Sequence, residues 1–192
     1  MKGKSKSTTF GKKVKKFLRF LFVEESIQSY IAFLLFLVFL FSLIFYFILP
    51  YGFGIVDVVA VVTPSMEHSR NVEDTFYKFF LTRNFTMGEI KSFDFSDGIS
   101  IGDVVIVKKV NPNEIKVGDV IVFRTQTTKI IHRVIKIEKR GNEIYFTTKG
   151  DANPTSLNFE KNITPDRLIG KATFKIPYLG YPRIILLRVL GI

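Results

Sequence analysis

The chain has no cysteine and no tryptophan, and only two histidines, His68 and His132, in its 192 residues. Without cysteine there can be no disulfide, so any folded part must rest on an ordinary apolar core. Neither a Cys-x-x-Cys nor a His-Glu-x-x-His spacing occurs. A zinc centre is therefore not predicted, and no metal or organic cofactor is implied. Charge is missing too: no Asp, Glu, Lys or Arg lies between Glu25 and Asp57.

What fills that uncharged stretch is a run of large apolar side chains. Residues 30–49 read YIAFLLFLVFLFSLIFYFIL. At about 1.5 Å per residue such a helix reaches roughly 30 Å, the thickness of a bilayer's hydrocarbon core. Ser42 is its one strongly polar side chain, and a helix satisfies that hydroxyl on its own backbone. Pro50, Gly52 and Gly54 then break the helix. No small-residue cleavage pattern follows Leu49, so a retained span over residues 28–50 is predicted rather than a removed leader.

The net charge of +11 is concentrated ahead of this span. Eight Lys and Arg residues precede Glu24, whereas residues 50–66 carry none. The positive-inside bias puts residues 1–27 in the cytoplasm and residue 51 onward outside a cell membrane, in a single pass. Basic charge beside a span is drawn to anionic lipid, and the remaining excess is scattered, so nucleic acid is not the expected partner.

Beyond the span the chain turns to β. Residues 55–62 (IVDVVAVV) are short and β-branched. Stretches beginning GDVVIVKK at Gly102, GDVIVFR at Gly118, KIIHRVIKIEK at Lys129 and EIYFTTKGD at Glu143 are predicted strands separated by turn residues. Many short strands with little helix predict a mainly β domain over residues 51–180, a small folded-over sheet or barrel. Residues 67–101 interrupt this pattern with TFYKFFLTRNF at their centre. Two readings stay open for them: an amphipathic segment on the membrane, or a helical lid packed on the domain. Residues 181–192 are apolar with Arg183 and Arg188, and either close the domain or lie at the interface with the arginines snorkelling.

A candidate for chemistry sits just outside the span. TPSMEHS, residues 63–69, holds Ser65. A serine hydroxyl attacks at neutral pH only with a base nearby, itself best held by a third group. His132, in IIHRVI, is the candidate base, and Asp151, in TKGDANP, the candidate third group. Residues 132 and 149–151 come side by side if their strands form a hairpin. Taken singly, each also reads as a structural residue: a turn serine, a packed strand histidine, a turn aspartate.

Taken in order, these pieces resemble the type I signal peptidases, in the archaeal and endoplasmic-reticulum branch, where histidine rather than lysine is the base. The order is a membrane helix, Ser65-Met66-Glu67, Gly-Asp strands at 102 and 118, His132-Arg133-Val134, Lys149-Gly150-Asp151 and Ile-Pro-Tyr-Leu-Gly at 176–180. The resemblance implies a membrane-bound serine endopeptidase that removes signal peptides from exported preproteins. Ser65 would be the nucleophile, His132 the general base and Asp151 its support. The Ser65 N–H, with Thr63, would hold the oxyanion, and strands near 55–62 and 103–107 would pair with the substrate. Secretory preproteins and the bilayer are the implied partners, with accessory subunits left open.

Two departures stand out. Relatives carry a second aspartate five or six positions after the first, where this chain has Ser156 and Leu157, followed by Asn158. Asn158 offers a hydrogen bond but no charge; Asp166 or another acid is the alternative substitute. The usual proline after Ser-Met-Glu is His68, and residues 67–101 are inserted there. These departures keep two other readings in view: a non-catalytic, membrane-anchored peptide-binding relative, and a protease dedicated to surface or pilin-type precursors.

Overall fold

A computed structural model describes residues 7–68 and 71–191. The chain divides into two compact units, Met1–Gly52 and Phe53–Ile192.

In the first unit, helix α1 (Ser7–Phe22) is followed by α2 (Ile27–Leu43), which continues in wider π-type turns over Ile44–Gly52. Ser26 caps α2: its hydroxyl accepts from Ser29 N–H at 3.2 Å while the Ser29 hydroxyl accepts from Ser26 N–H at 3.1 Å. Two otherwise orphaned donors are thereby satisfied at the point where apolar sequence begins. Pro50 lies inside the π-type turns, which fits a helix rearranged around a residue with no N–H to donate. Ile27–Gly52 is 26 residues long with a mean hydropathy of 3.0 over an 18-residue window, and no residue of that window is buried. Among the described residues it is the one helix long and apolar enough to cross a membrane, and it fits a single anchor.

The second unit is built on a six-stranded antiparallel sheet. Its strands are β1 (Ile55–Ala60), β2 (Val104–Lys108), β3 (Val120–Arg124), β4 (Lys129–Arg140), β5 (Glu143–Lys149) and β6 (Leu168–Ile176). They lie in the order β1-β2-β6-β3-β4-β5. The predicted mainly β fold, led by an apolar helix, is what the chain adopts. Strand β6 was not among the predicted strands, yet it occupies the middle of the sheet, joining β2 to β3.

Two apolar clusters flank the sheet. One gathers Ile121, Phe123, Val134, Phe146 and Ile163; the other gathers Val61, Met66, Val105, Val120 and Ala172. A third belongs to the insertion. Phe76, Phe80 and Ile90, all essentially unexposed, pack with Phe85 and Phe93 against Val117 and Ile135. Of the two readings left open for residues 67–101, the packed one describes this segment. Its aromatic side chains are spent on the domain's own core, much of it in edge-to-face contacts such as Phe80–Phe93.

The chain closes with α5 (Tyr181–Leu190). Gly180 N–H donates to the Gly102 carbonyl at 2.8 Å, and the Tyr181 ring lies where a Cβ on Gly102 would be, 2.3 Å away. A side chain at residue 102 would force the Tyr181 ring to move. Ile184 is buried, but Ile185, Leu186 and Val189 remain exposed.

Candidate active site

Strand β1 carries the chain into a single 3-10 turn, Pro64–Met66. Proline at the first position presets φ for such a turn. The turn is pinned on both sides of Ser65. Met66 is fully buried and its carbonyl accepts from Ile99 N–H at 2.9 Å; the Glu67 carboxylate accepts from Ile101 N–H at 2.9 Å. Ser65 itself is half-buried, with its hydroxyl directed at β4.

There the Ser65 Oγ lies 2.9 Å from His132 Nε2. The other ring nitrogen, Nδ1, is hydrogen-bonded to Glu160 Oε1. With the Nδ1 proton donated to that carboxylate, Nε2 is left to accept the hydroxyl's hydrogen. Glu160 closes the short 3-10 helix Asn158–Glu160 and is 0% exposed. Its Oε2 accepts from Leu157 N–H at 2.6 Å, and the Thr148 hydroxyl approaches Oε1 at 3.4 Å. The carboxylate is thus held by its own turn as well as by the histidine. Thr63 Oγ1 stands 3.3 Å from Ser65 Oγ.

Asp151 is placed differently from its expected position as the support of His132. Its oxygens are taken by Arg133, from Nε at 2.9 Å and Nη2 at 2.6 Å, and by His68 Nε2 at 2.9 Å. The reason is the two-residue period of a strand. His132 and Arg133 are neighbours on β4, so they project to opposite faces. Glu160 meets the first and Asp151 the second. The hairpin expectation was close in register, since Arg133 pairs with Lys149, but the carboxylate at residue 151 falls on the arginine's side.

Arg133 is fully buried and all five of its N–H donors are used. Beyond Asp151 it donates from Nη1 to the carbonyls of Asp94 and Gly118, both at 2.7 Å, and from Nη2 to that of Phe95 at 2.9 Å. The Phe76 ring covers its guanidinium at 4.9 Å. Lys149, also buried, donates to the carbonyls of Thr75, Gly150 and Asn153 at 2.8, 2.9 and 3.0 Å. The insertion therefore supplies acceptors to both buried cations beneath the site.

The electrostatics follow from this packing. Burial drives the Asp151 carboxyl upward, but the Arg133 charge and the His68 hydrogen bond outweigh it, holding the group below its ordinary 3.8. Burial pushes the Lys149 ammonium down to about 8, against the opposing pull of Asp151 and Glu160.

Gly150 lets the strand end approach the dyad. A Cβ there would lie 2.6 Å from the Ser65 carbonyl oxygen and 2.9 Å from His132 Nε2. The next turn also holds the serine, because Ala152 N–H donates to the Ser65 carbonyl at 2.9 Å. Asn158 and Asp166, the substitutes weighed for the missing aspartate, are both exposed. Glu160 was covered in the sequence only by the general allowance for another acid. Its one local signal is its place three residues after Leu157, where its side chain caps the turn's first N–H.

The strand edges near the dyad are unequal. β2 is paired on both sides, by β1 and β6. It has no edge left for a peptide, so the expected pairing of a substrate with residues 103–107 is not available. β1 is an edge strand. On β4, pairing with β5 ends at Arg133, so residues 129–132 are joined to β3 alone. An ion pair, Lys129 Nζ to Asp57 Oδ2 at 2.6 Å, joins these two free stretches.

No family model matches the chain. It is similar to signal peptidase I W of Bacillus subtilis (strain 168), with 32% identity over 71 residues. That match covers 36% of this chain and spans 37% of the relative's length. The likeness supports a peptidase of the signal peptidase kind.

Proposed function

We propose that this protein is a membrane-anchored serine endopeptidase that removes signal peptides from exported preproteins. The reading rests on one observation above all: Ser65, His132 and Glu160 form a continuous hydrogen-bonded relay on three separate pieces of chain. In it Ser65 Oγ attacks the scissile carbonyl carbon and its proton passes to His132 Nε2. The Glu160 carboxylate stabilises the imidazolium that forms. His132 then returns the proton to the leaving amine, and a water activated by the same nitrogen frees the acyl group from Ser65. The Ser65 N–H and the Thr63 hydroxyl are assigned to the developing oxyanion.

The substrate lies extended along the free edges of β1 and of residues 129–132, where main-chain hydrogen bonds supply affinity. The basic residues before the span keep the N-terminus in the cytoplasm, and the catalytic unit faces outward, where signal peptides emerge. The intact relay favours this reading over a non-catalytic peptide-binding relative.

The test is cleavage of a secretory preprotein by the purified full chain in lipid, beside Ser65→Ala. Cutting at the signal-peptide boundary by the wild type alone supports the reading. Absence of cutting by both, with several preproteins and proven folding, overturns it.

A further inference from the structure

Helix α1 has a surface that neither the fold nor the proposed chemistry uses. Phe10, Val14, Phe17, Leu18 and Leu21 recur at the three- and four-residue spacing of one helical face. Leu21 is buried, but Phe10, Val14, Phe17 and Leu18 are exposed. The opposite face carries Lys12, Lys15, Lys16 and Arg19, with Lys13 at the border, and no acidic residue lies in the helix. A soluble domain has no use for so complete a separation with its apolar side uncovered.

Its position supplies the occupant. α1 ends at Phe22, and the span Ile27–Gly52 begins only a few residues on. The Phe22 ring meets Phe33 and Phe36 of α2 edge-on, at 5.5 and 6.3 Å. Those are the only aromatic contacts between the two helices among the described residues. Phe22, the last residue of α1, therefore packs on the first turns of the span. An open groove of about 680 Å³ joins the two faces, with Lys13, Lys16 and Arg19 beside Phe17, Phe20 and Val23, and one carboxylate, Glu24, on its lining against three cations. Cations next to apolar side chains match a lipid whose headgroup is anionic.

We propose that α1 is an in-plane membrane helix. Its apolar face enters the headgroup–acyl boundary of the leaflet on the N-terminal side of the span, and its lysines and Arg19 bind anionic headgroups. Insertion of the apolar face and attraction to anionic lipid act together in such helices. The electrostatic part decays over a Debye length and so weakens with salt. This holds whether or not the outer unit is a peptidase.

The absence of cysteine makes the test direct, because a single introduced thiol is the only one in the chain. Leu18→Cys and Lys12→Cys full-length variants would carry a nitroxide label in bilayers of phosphatidylcholine, with and without phosphatidylglycerol. With anionic lipid, the residue-18 label should be several-fold more accessible to oxygen than to a water-soluble nickel complex, and the residue-12 label the reverse. The contrast should shrink several-fold without phosphatidylglycerol, or when Lys12, Lys15 and Lys16 are changed to Gln in the Leu18→Cys chain. A residue-18 label that stays in water in the anionic bilayer overturns the proposal. So does a contrast unchanged by removing the anionic lipid and the lysines.

Discussion

His132 and Glu160 meet through Nδ1 and a fully buried carboxylate, although they lie on β4 and on a turn beyond β5. On the proposed serine-peptidase reading, this contact makes Glu160 the supporting acid. Glu160→Gln keeps the shape and loses the charge that orients and stabilises the imidazolium. It should lower kcat by roughly 10³- to 10⁴-fold with KM little changed. Ser65→Ala and His132→Ala should remove cleavage altogether. Asn158→Asp, at an exposed position, should leave activity as it is. Single-turnover cleavage of a preprotein reads all four, and a Glu160→Gln enzyme of wild-type rate would sink the assignment.

Asp151 should behave as a structural anion. Asp151→Ala leaves Arg133 buried without its charge partner, which costs about 3–5 kcal/mol. The Asp151 carboxyl titrates lower when folded than when unfolded. Its stabilisation is therefore complete above the ordinary value of 3.8 and fades as pH falls through the lower folded value. Melting curves of wild type and Asp151→Asn should differ by a constant amount at neutral pH and converge in acid. Curves that stay equally far apart in strong acid would refute this.

Lys149 predicts a second rise of stability with pH, this time in alkali. Its ammonium titrates near 8 when folded and near 10.5 when unfolded. Between those values the unfolded chain holds the extra proton, so stability from this site rises with pH. Relative to Lys149→Met, the wild type should gain on the order of 2 kcal/mol across that window and nothing below it. Chemical denaturation in detergent at stepped pH measures the difference, and a flat difference rejects the prediction.

Gly150→Ala should separate activity from folding. The added methyl meets the Ser65 carbonyl and the His132 ring, neither of which yields without moving the dyad. Activity should drop by at least about 10²-fold while the melting temperature changes by only a few degrees. Equal activity would mean that the dyad tolerates displacement.

Removing residues 69–94 should destabilise the domain rather than only redirect its substrates. The deleted segment supplies carbonyl acceptors for Arg133 and Lys149 and the Phe76 ring over the guanidinium. Loss of cooperative thermal unfolding is the expected readout; a well-folded deletion variant with altered substrate choice would refute it and make the segment a dispensable selector of substrates.

Much of this protein is determined by sequence alone, where the determining physics is local. Twenty-odd uncharged apolar residues have few fates besides a bilayer-length helix. β-branched runs between Gly-Asp and Gly-Asn turns make strands wherever they lie; His132 is one of only two histidines, and Ser65 is marked by its place just beyond the span. The tertiary structure decided what depends on contacts between distant segments. It put β6 between β2 and β3, where its pairing rather than its composition makes it central. It turned the insertion's aromatic rings onto Val117 and Ile135, a choice that amphipathic spacing leaves open between lipid and protein. It also gave His132 to Glu160 and Arg133 to Asp151, because adjacent residues of a strand face opposite ways and only the packed sheet says which carboxylate waits on each side.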